Sequence, residues 1–221
     1  MDFETVIRTR FSARKFLDRP VPEAILQRIL DLAQHTPSWC NCQPWGLVIT
    51  RGPATSRFRE AMLAQARSGA RAHPDFPFPA AYEGVYRDRR KVCGVQLYQA
   101  LSIGKDDRAA AAEQSLENFR FFDAPHVAIV TTEEKLGVYG MLDCGLYLQS
   151  FMLAARDAGV DSIAQAALAS YPDFVRAFFR LPPERKVVCG ISFGYAQASH
   201  AIHGYRTQRS APAEVVTFVD T

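Results

Sequence analysis

Two cysteines one residue apart, Cys40 and Cys42, lie in the stretch HTPSWCNCQPW (35–45) among a histidine, an asparagine, a glutamine, two prolines and two tryptophans. Metal ligation, thiol redox chemistry and the wall of a cofactor pocket are three uses for such a cluster. Structural zinc favours a second ligand pair at matching spacing, and His200-x-x-His203 lies far along the chain, so no metal is expected. A redox pair of the thioredoxin type has two residues between its thiols, and here there is one. The simplest reading leaves Cys40 and Cys42 as small buried apolar residues. Cations supply a second cluster: Arg8, Arg10, Arg14 and Lys15 surround Ser12, and Arg206 and Arg209 recur near the C-terminus. Guanidinium forks hold phosphate oxygens in pairs, so two such loops brought together make an anion clamp, whereas apart they are a solvated basic surface. The chain has no GxGxxG and no GxxxxGK[ST], so any phosphate must be held by side chains. A Ser/His/Asp arrangement would have to be assembled arbitrarily from five histidines, so a hydrolase is not indicated.

Local patterns supply the elements that would position these groups. Phe3, Val6 and Ile7 behind Asp2 predict a short helix ending near Arg10. Pro22 opens a second helix, with Ile25, Leu26, Ile29, Leu30 and Ala33 as its apolar stripe, running to Gln34. LVIT (47–50) reads as a buried strand, which makes 35–45 a helix-to-strand loop. A helix is expected over 54–66. The stretch 73–94, with three prolines and a basic run, has no period and is read as part of an excursion or lid at about 67–108. Residues 101–122 are expected to be mostly helical, 126–132 a buried strand, and 141–158 a central helix covered on most sides and stopped by Gly159. Ser170 is expected to cap a helix whose face is Phe174, Ala177, Phe178 and Leu181. In KVVCGISFGYA, alternation places Val187, Cys189, Ile191 and Phe193 on one face and Gly190, Ser192 and Gly194 on the other, where something can approach the backbone closely. EVVTFV (214–219) has strand propensity.

Bulk composition sets the limits. A 221-residue chain that is 48% hydrophobic and 22% charged can bury about 70% of its unfolded surface as one domain spanning 1–221. A net charge of +3 without a basic tail argues against nucleic acid. No uncharged run reaches the roughly 20 residues of a membrane span, so no membrane segment is expected. Acidic residues in MDFETVIRTR do not suit a signal peptide, and five scattered cysteines suit a reducing compartment, so the expected location is cytoplasmic.

Five motifs, in order across nearly the whole chain, resemble those of the FMN-dependent nitroreductase family. They are RTRFSARKF (8–16), TPSWCNCQPW (36–45), GVDSIAQAAL (159–168), VVCGISFGYA (187–196) and RTQR (206–209). DFPFPAAYEGVYRDRRKVCG (75–94) and NFRFFDAP (118–125) are similar to the branch that includes nitrobenzoate reductases. The resemblance implies an α+β fold with a central, mostly antiparallel sheet between helices. It also implies a homodimer with shared active sites, in which 214–219 is an exchanged C-terminal strand. It implies that Arg10, Phe11, Ser12 and Arg14 bind FMN with Arg206 or Arg209, and that Pro37, Ser38, Trp39 and Asn41 reach the flavin from the other subunit. Gln165, Ala166 and Ala167 would pass near flavin N5, and Asn118 would hydrogen-bond the ring. By the same resemblance, two electrons pass from NADH or NADPH through N5 to an electron-poor acceptor, first of all a nitroaromatic, in a ping-pong sequence that needs no catalytic side chain. Phe76, Phe78, Tyr82, Tyr86 and Phe121 would line the acceptor pocket, and Arg87 to Lys91 is either an anion lure or a solvated helix face. Dehalogenation, dehydrogenation, flavin fragmentation or flavin binding without turnover are the alternatives.

Overall fold

The computed structural model describes residues 1–220. Asp2 starts α1 (Phe3–Thr9) by accepting from the Thr5 backbone N–H at 2.9 Å, which satisfies one donor of the first turn. In α2 (Glu23–Gln34) the buried residues Leu26, Ile29 and Ala33 follow the expected stripe. Then come β1 (Gly46–Thr50), α3 (Pro53–Arg67), α4 (Gly84–Ala100), α5 (Arg108–Leu116), β2 (His126–Glu133), α6 (Gly137–Asp157), β3 (Asp161–Gln165), α7 (Pro172–Phe179) and β4 (Arg185–Gly194). The sheet order is β1-β2-β4-β3 and each neighbouring pair is antiparallel, an α+β arrangement as expected.

Strand alternation divides the core between the two faces of the sheet. Ala128 and Val130 of β2 meet α2 and α6 through Leu26, Ile29, Tyr147 and Phe151. Val127 and Ile129 point the other way and meet Phe58 and Met62 of α3 and Val175 of α7. A β-bulge corrects the expected faces of β4: the pairing runs Val130↔Cys189 and then Thr131↔Val187, skipping Val188. Cys189, Ile191 and Phe193 therefore face α6, whereas Val187 packs with Phe58 on the opposite side.

The small residues of β4 make room for the chain itself rather than for a ligand. A Cβ on Gly190 would come within 3.0 Å of the Leu168 Cβ, and one on Gly194 within 2.6 Å of the Pro125 ring. Ser192 Oγ donates to Gln165 Oε1. His126, buried, accepts the Val21 N–H at Nε2 (2.9 Å) and donates from Nδ1 to the Thr50 carbonyl (3.3 Å), tying the approach to α2 onto the sheet.

Several expectations are corrected. The helix α4 stands where no period was seen, because none of its residues is buried and its charged run leaves no apolar stripe. The helix expected from residue 101 begins only at Arg108, capped by Asp107 after a turn at Ser102. The start of α7 is Tyr171 followed by Pro172 rather than Ser170, and Arg180 in the left-handed region ends it before Leu181. The short β3 was not read as a strand. On α6 only one side is covered, leaving Val138, Tyr139, Leu142 and Leu146 exposed. Residues 214–219, expected to be a strand exchanged with a partner, pair with no strand of their own chain: they follow a 3₁₀ turn (Pro212–Glu214), and Phe218 is 84% exposed.

Phe58, fully buried, touches Phe121, Phe178 and Phe179 at ring distances of 4.6–5.2 Å, so Phe58→Ala should destabilise by about 3–5 kcal/mol in urea unfolding. Burial holds the His126 pKa below its ordinary 6.5. The native state then binds this proton less readily than the unfolded chain, so its contribution is present above about pH 6.5 and lost on acidification. Unfolding free energy should fall more steeply from pH 7.5 to 5 in the wild type than in His126→Gln, and parallel curves would contradict a buried neutral ring.

Candidate cofactor site

The segment leaving α1 is stitched to the sheet on two sides. Ser12 bridges to Ser162 of β3, and the Ala13 N–H donates to the Ser162 carbonyl at 3.2 Å. On the other side Phe16 bridges to Ala196, Leu17 N–H donates to the Tyr195 carbonyl (2.8 Å), and Gln197 N–H donates to the Lys15 carbonyl (3.0 Å). Backbone pairing thus carries the chain after β4 alongside the N-terminal loop. The result is one cleft of about 990 Å³ at which Arg10, Phe11, Ser12 and Arg14 meet Arg206 and Arg209. That volume is at the upper end for small-molecule and cofactor sites. Two further walls come from Gln149 of α6 and Cys93 of α4.

Positive charge is concentrated here without a matching carboxylate. Among the described residues, none of Arg10, Arg14, Arg206 and Arg209 forms an ion pair. The one acidic side chain among the described residues on the cleft, Glu4, is engaged by Arg8 at 2.7 Å. Burial, and then the charge of Arg209, pull the Arg10 guanidinium below its ordinary pKa. Backbone carbonyls aim the others: Arg14 Nη1 donates to Ser12 O (3.3 Å), Arg206 Nη1 to His203 O and Tyr205 O (both 2.8 Å), and Arg209 Nη1 to Gln208 O (3.0 Å). The Arg206 guanidinium lies 4.4 Å from the Phe11 ring centre, a cation–π contact, and His203 meets the same ring edge-on at 5.3 Å. Tyr205 presents a buried hydroxyl with no hydrogen-bond partner, its pKa raised by burial. The sequence marks His203 only as half of His200-x-x-His203, and Tyr205, in the irregular run SHAIHGYR, only by its nearness to Arg206.

Other expected site residues lie elsewhere in the single chain. The loop of Pro37, Ser38, Trp39 and Asn41 is held by α6: the buried Asp143 carboxylate accepts the Trp39 N–H at 3.2 Å and the Cys42 thiol at 3.8 Å. Ser38 Oγ accepts the Gln43 N–H at 2.9 Å. Cys40, Asn41 and Gln43 are left-handed (φ 47–54°), and Trp39, 57% exposed, meets Tyr139 edge-on at 4.3 Å. Cys40 and Cys42 are exposed, which corrects the reading of them as buried; the buried thiols are Cys144 and Cys189. Gln165 points inward, accepting from Ser192 and donating to the Asn118 carbonyl at 2.9 Å, so Asn118 braces the end of β3, while Ala166 just beyond it is exposed.

The aromatic residues divide. Phe121 is fully buried against Phe58 in the core, and so is not a pocket wall. Phe78, Tyr82 and Tyr86 are exposed and Phe76 half-buried, with Arg90 5.2 Å from the Tyr82 ring centre. Tyr86 and Cys93, seven residues apart on α4, share the helix face that meets the C-terminal segment, where Arg89 donates to Ser210 Oγ.

Comparison with known proteins agrees with this architecture. The model of the Nitroreductase family matches residues 7–195, and the chain belongs to that family. It is 36% identical to "Nitroreductase NfnB" of Mycolicibacterium smegmatis over 216 residues, covering 97% of this chain and 92% of that protein. It is 33% identical to "4-nitrobenzoate reductase" of Pseudomonas putida, covering 94% and 91%. The crystal structure of the FMN and NADPH-dependent nitroreductase NfnB from Sphigopyxis sp. strain HMH superposes with a TM-score of 0.96 at 29% identity over the full length of both chains. No helix among the described residues is long and apolar enough to cross a membrane.

Burial pushes the Cys144 thiol up to about 11 and the Cys189 thiol to about 12, and reactivity follows the thiolate. Native protein treated with a thiol reagent at pH 8 should leave Cys144 and Cys189 unmodified by peptide mass analysis, and both should react in denaturant.

Proposed function

We propose that the cleft binds FMN and that the protein is an oxidoreductase passing two electrons from NADPH or NADH to an electron-poor aromatic acceptor, a nitroaromatic first of all. The observation that carries this reading is the set of four guanidinium groups with no carboxylate partner among the described residues, one of them against an aromatic face: a donor set suited to a phosphate attached to a flat ring. The names of the relatives support it. FMN, when bound, supplies two-electron transfer at its N5 position.

The chain's own residues bind and orient. Arg10, Arg14, Arg206 and Arg209 hold the phosphate, with the unpartnered Tyr205 hydroxyl as a further donor. Phe11 and Ser12 take the inner side of the ring system. The Gln165–Asn118 brace fixes the backbone of Ala166 and Ala167 at the end of β3, where an N–H can reach the flavin edge. Phe76, Phe78, Tyr82 and Tyr86, within the lid at 67–108, form the aromatic side of the acceptor space.

The site is completed by a second copy. Val138, Leu142 and Leu146 recur every four residues on α6 beside exposed Tyr139, and Phe3 and Ile7 of α1 are exposed as well. An apolar stripe of this kind marks an association surface. It runs to Trp39, so pairing of two stripes would bring Pro37, Ser38, Trp39 and Asn41 of the partner subunit to the flavin, and residues 214–219 would find their sheet edge on the partner. Five unpaired cysteines suit a cytoplasmic location.

Removing two phosphate contacts tests the reading. Arg14→Ala combined with Arg206→Ala should release flavin from the purified protein while circular dichroism stays unchanged, and full flavin occupancy in that variant would overturn the clamp. Leu142→Glu places a charge in the stripe and should yield a monomer by size-exclusion chromatography that has lost flavin, whereas a flavin-loaded monomer would rule out the shared site.

A further inference from the structure

The N-terminal loop and the C-terminal segment meet on one imidazole. The Arg14 backbone N–H donates to His203 Nε2 at 2.9 Å, and His203 Nδ1 lies 3.0 Å from the Gln197 carbonyl. An amide N–H can only donate and a carbonyl can only accept, so Nδ1 carries the proton and Nε2 a lone pair. The ring is therefore neutral, in one tautomer. Its backbone carbonyl accepts from Arg206, and its edge packs on Phe11, under the same guanidinium. One residue thus holds two of the four cleft arginines, the Arg14 backbone through its ring and the Arg206 guanidinium through its carbonyl.

We propose that His203 is a positioning residue for FMN: the ring of its neutral Nδ1–H tautomer holds the Arg14 backbone while its carbonyl holds Arg206, and protonation opens the Arg14 side of this clamp and weakens the hold on the cofactor. This rests on the reading that the cleft takes the FMN phosphate. Protonation turns Nε2 into a donor facing the Arg14 N–H, so a part-buried hydrogen bond becomes a donor–donor clash. The ring is faced by Arg14 and, from its own segment, by His200, Tyr205 and Arg206, while Asp161 at the start of β3 is the acidic group acting on it. Arg10 and Arg209 line the same cleft, and Lys15 is occupied by Asp123. Burial, with His200 and Arg206, keeps the ring below its ordinary pKa against the pull of Gln197 and Asp161, so the clamp is complete above about pH 6.5 and opens as the pH falls.

The test compares FMN dissociation constants, read from flavin fluorescence on diluting the FMN-loaded protein between pH 8 and 5.5, for the wild type, His203→Gln and His203→Leu. A glutamine carbonyl oxygen can accept from Arg14 N–H without titrating; leucine cannot accept. At pH 8 His203→Leu should bind about tenfold more weakly than the wild type, and His203→Gln should restore binding to within about threefold. On acidification the wild type should lose about tenfold more affinity than His203→Gln, which carries the titration of the FMN phosphate alone. Parallel losses in wild type and His203→Gln, or wild-type affinity in His203→Leu at pH 8, would overturn the proposal. A wild type that retains no FMN at pH 8 would instead defeat the cofactor reading itself.

Discussion

Like charges crowded on one wall repel, and most of this fold near the cleft serves to hold them there. Arg10, Arg14, Arg206 and Arg209 share a concave surface whose one acid among the described residues, Glu4, is occupied by Arg8. The chain offsets the repulsion with backbone: carbonyls of Ser12, His203, Tyr205 and Gln208 accept from the guanidinium groups. Bridges at Ser12–Ser162 and Phe16–Ala196 pin the loop to β3 and to the end of β4. Carbonyl dipoles orient a guanidinium but do not neutralise it, so the cleft keeps a net positive potential that an anion can relieve.

That constraint explains the placement of the strands. The sheet order β1-β2-β4-β3 puts β3 at an edge beside β4, so the chain leaving α1 can pair with β3 while the chain leaving β4 runs along its other side. The two ends of the polypeptide, about 190 residues apart, meet because β4 ends where the N-terminal loop begins its crossing. Arg156 fastens this corner by donating to Asp161 Oδ1 at 2.9 Å, and Asp161 Oδ2 accepts the Ala196 N–H at 3.1 Å. A β-bulge at Val188 lets β4 contribute to both hydrophobic clusters without losing its pairing with β2.

The elements legible in the sequence were those with a strong period or a clear stop: α1 behind Asp2, α2 behind Pro22, β2 after Pro125, and α6 up to Gly159. The basic loop and the Arg206–Arg209 segment were legible as chemistry, and their meeting was implied by family resemblance rather than by spacing. What escaped has physical reasons. In α4 the charged run 87–91 removes the apolar stripe, since the helix buries nothing fully in the single chain. Phe121, Phe122 and Asp123 turn with positive φ without a glycine to signal it, and this turn drives two phenylalanines into the core instead of toward a pocket. The skipped Val188 leaves no mark on an alternating run. Cys40 and Cys42 read as buried because thiols usually are, whereas the left-handed backbone of their loop turns them outward.

The central claim is that uncompensated arginine charge, more than the shape of the cleft, selects the ligand. The most direct measurement is the thermal unfolding midpoint of the flavin-free protein with equal concentrations of FMN and of riboflavin, which lacks the phosphate. A ligand that binds only the native state raises the midpoint according to its affinity. The account predicts a clear upward shift with FMN, shrinking as salt screens the arginines, and little or none with riboflavin. Equal shifts with the two ligands would contradict it.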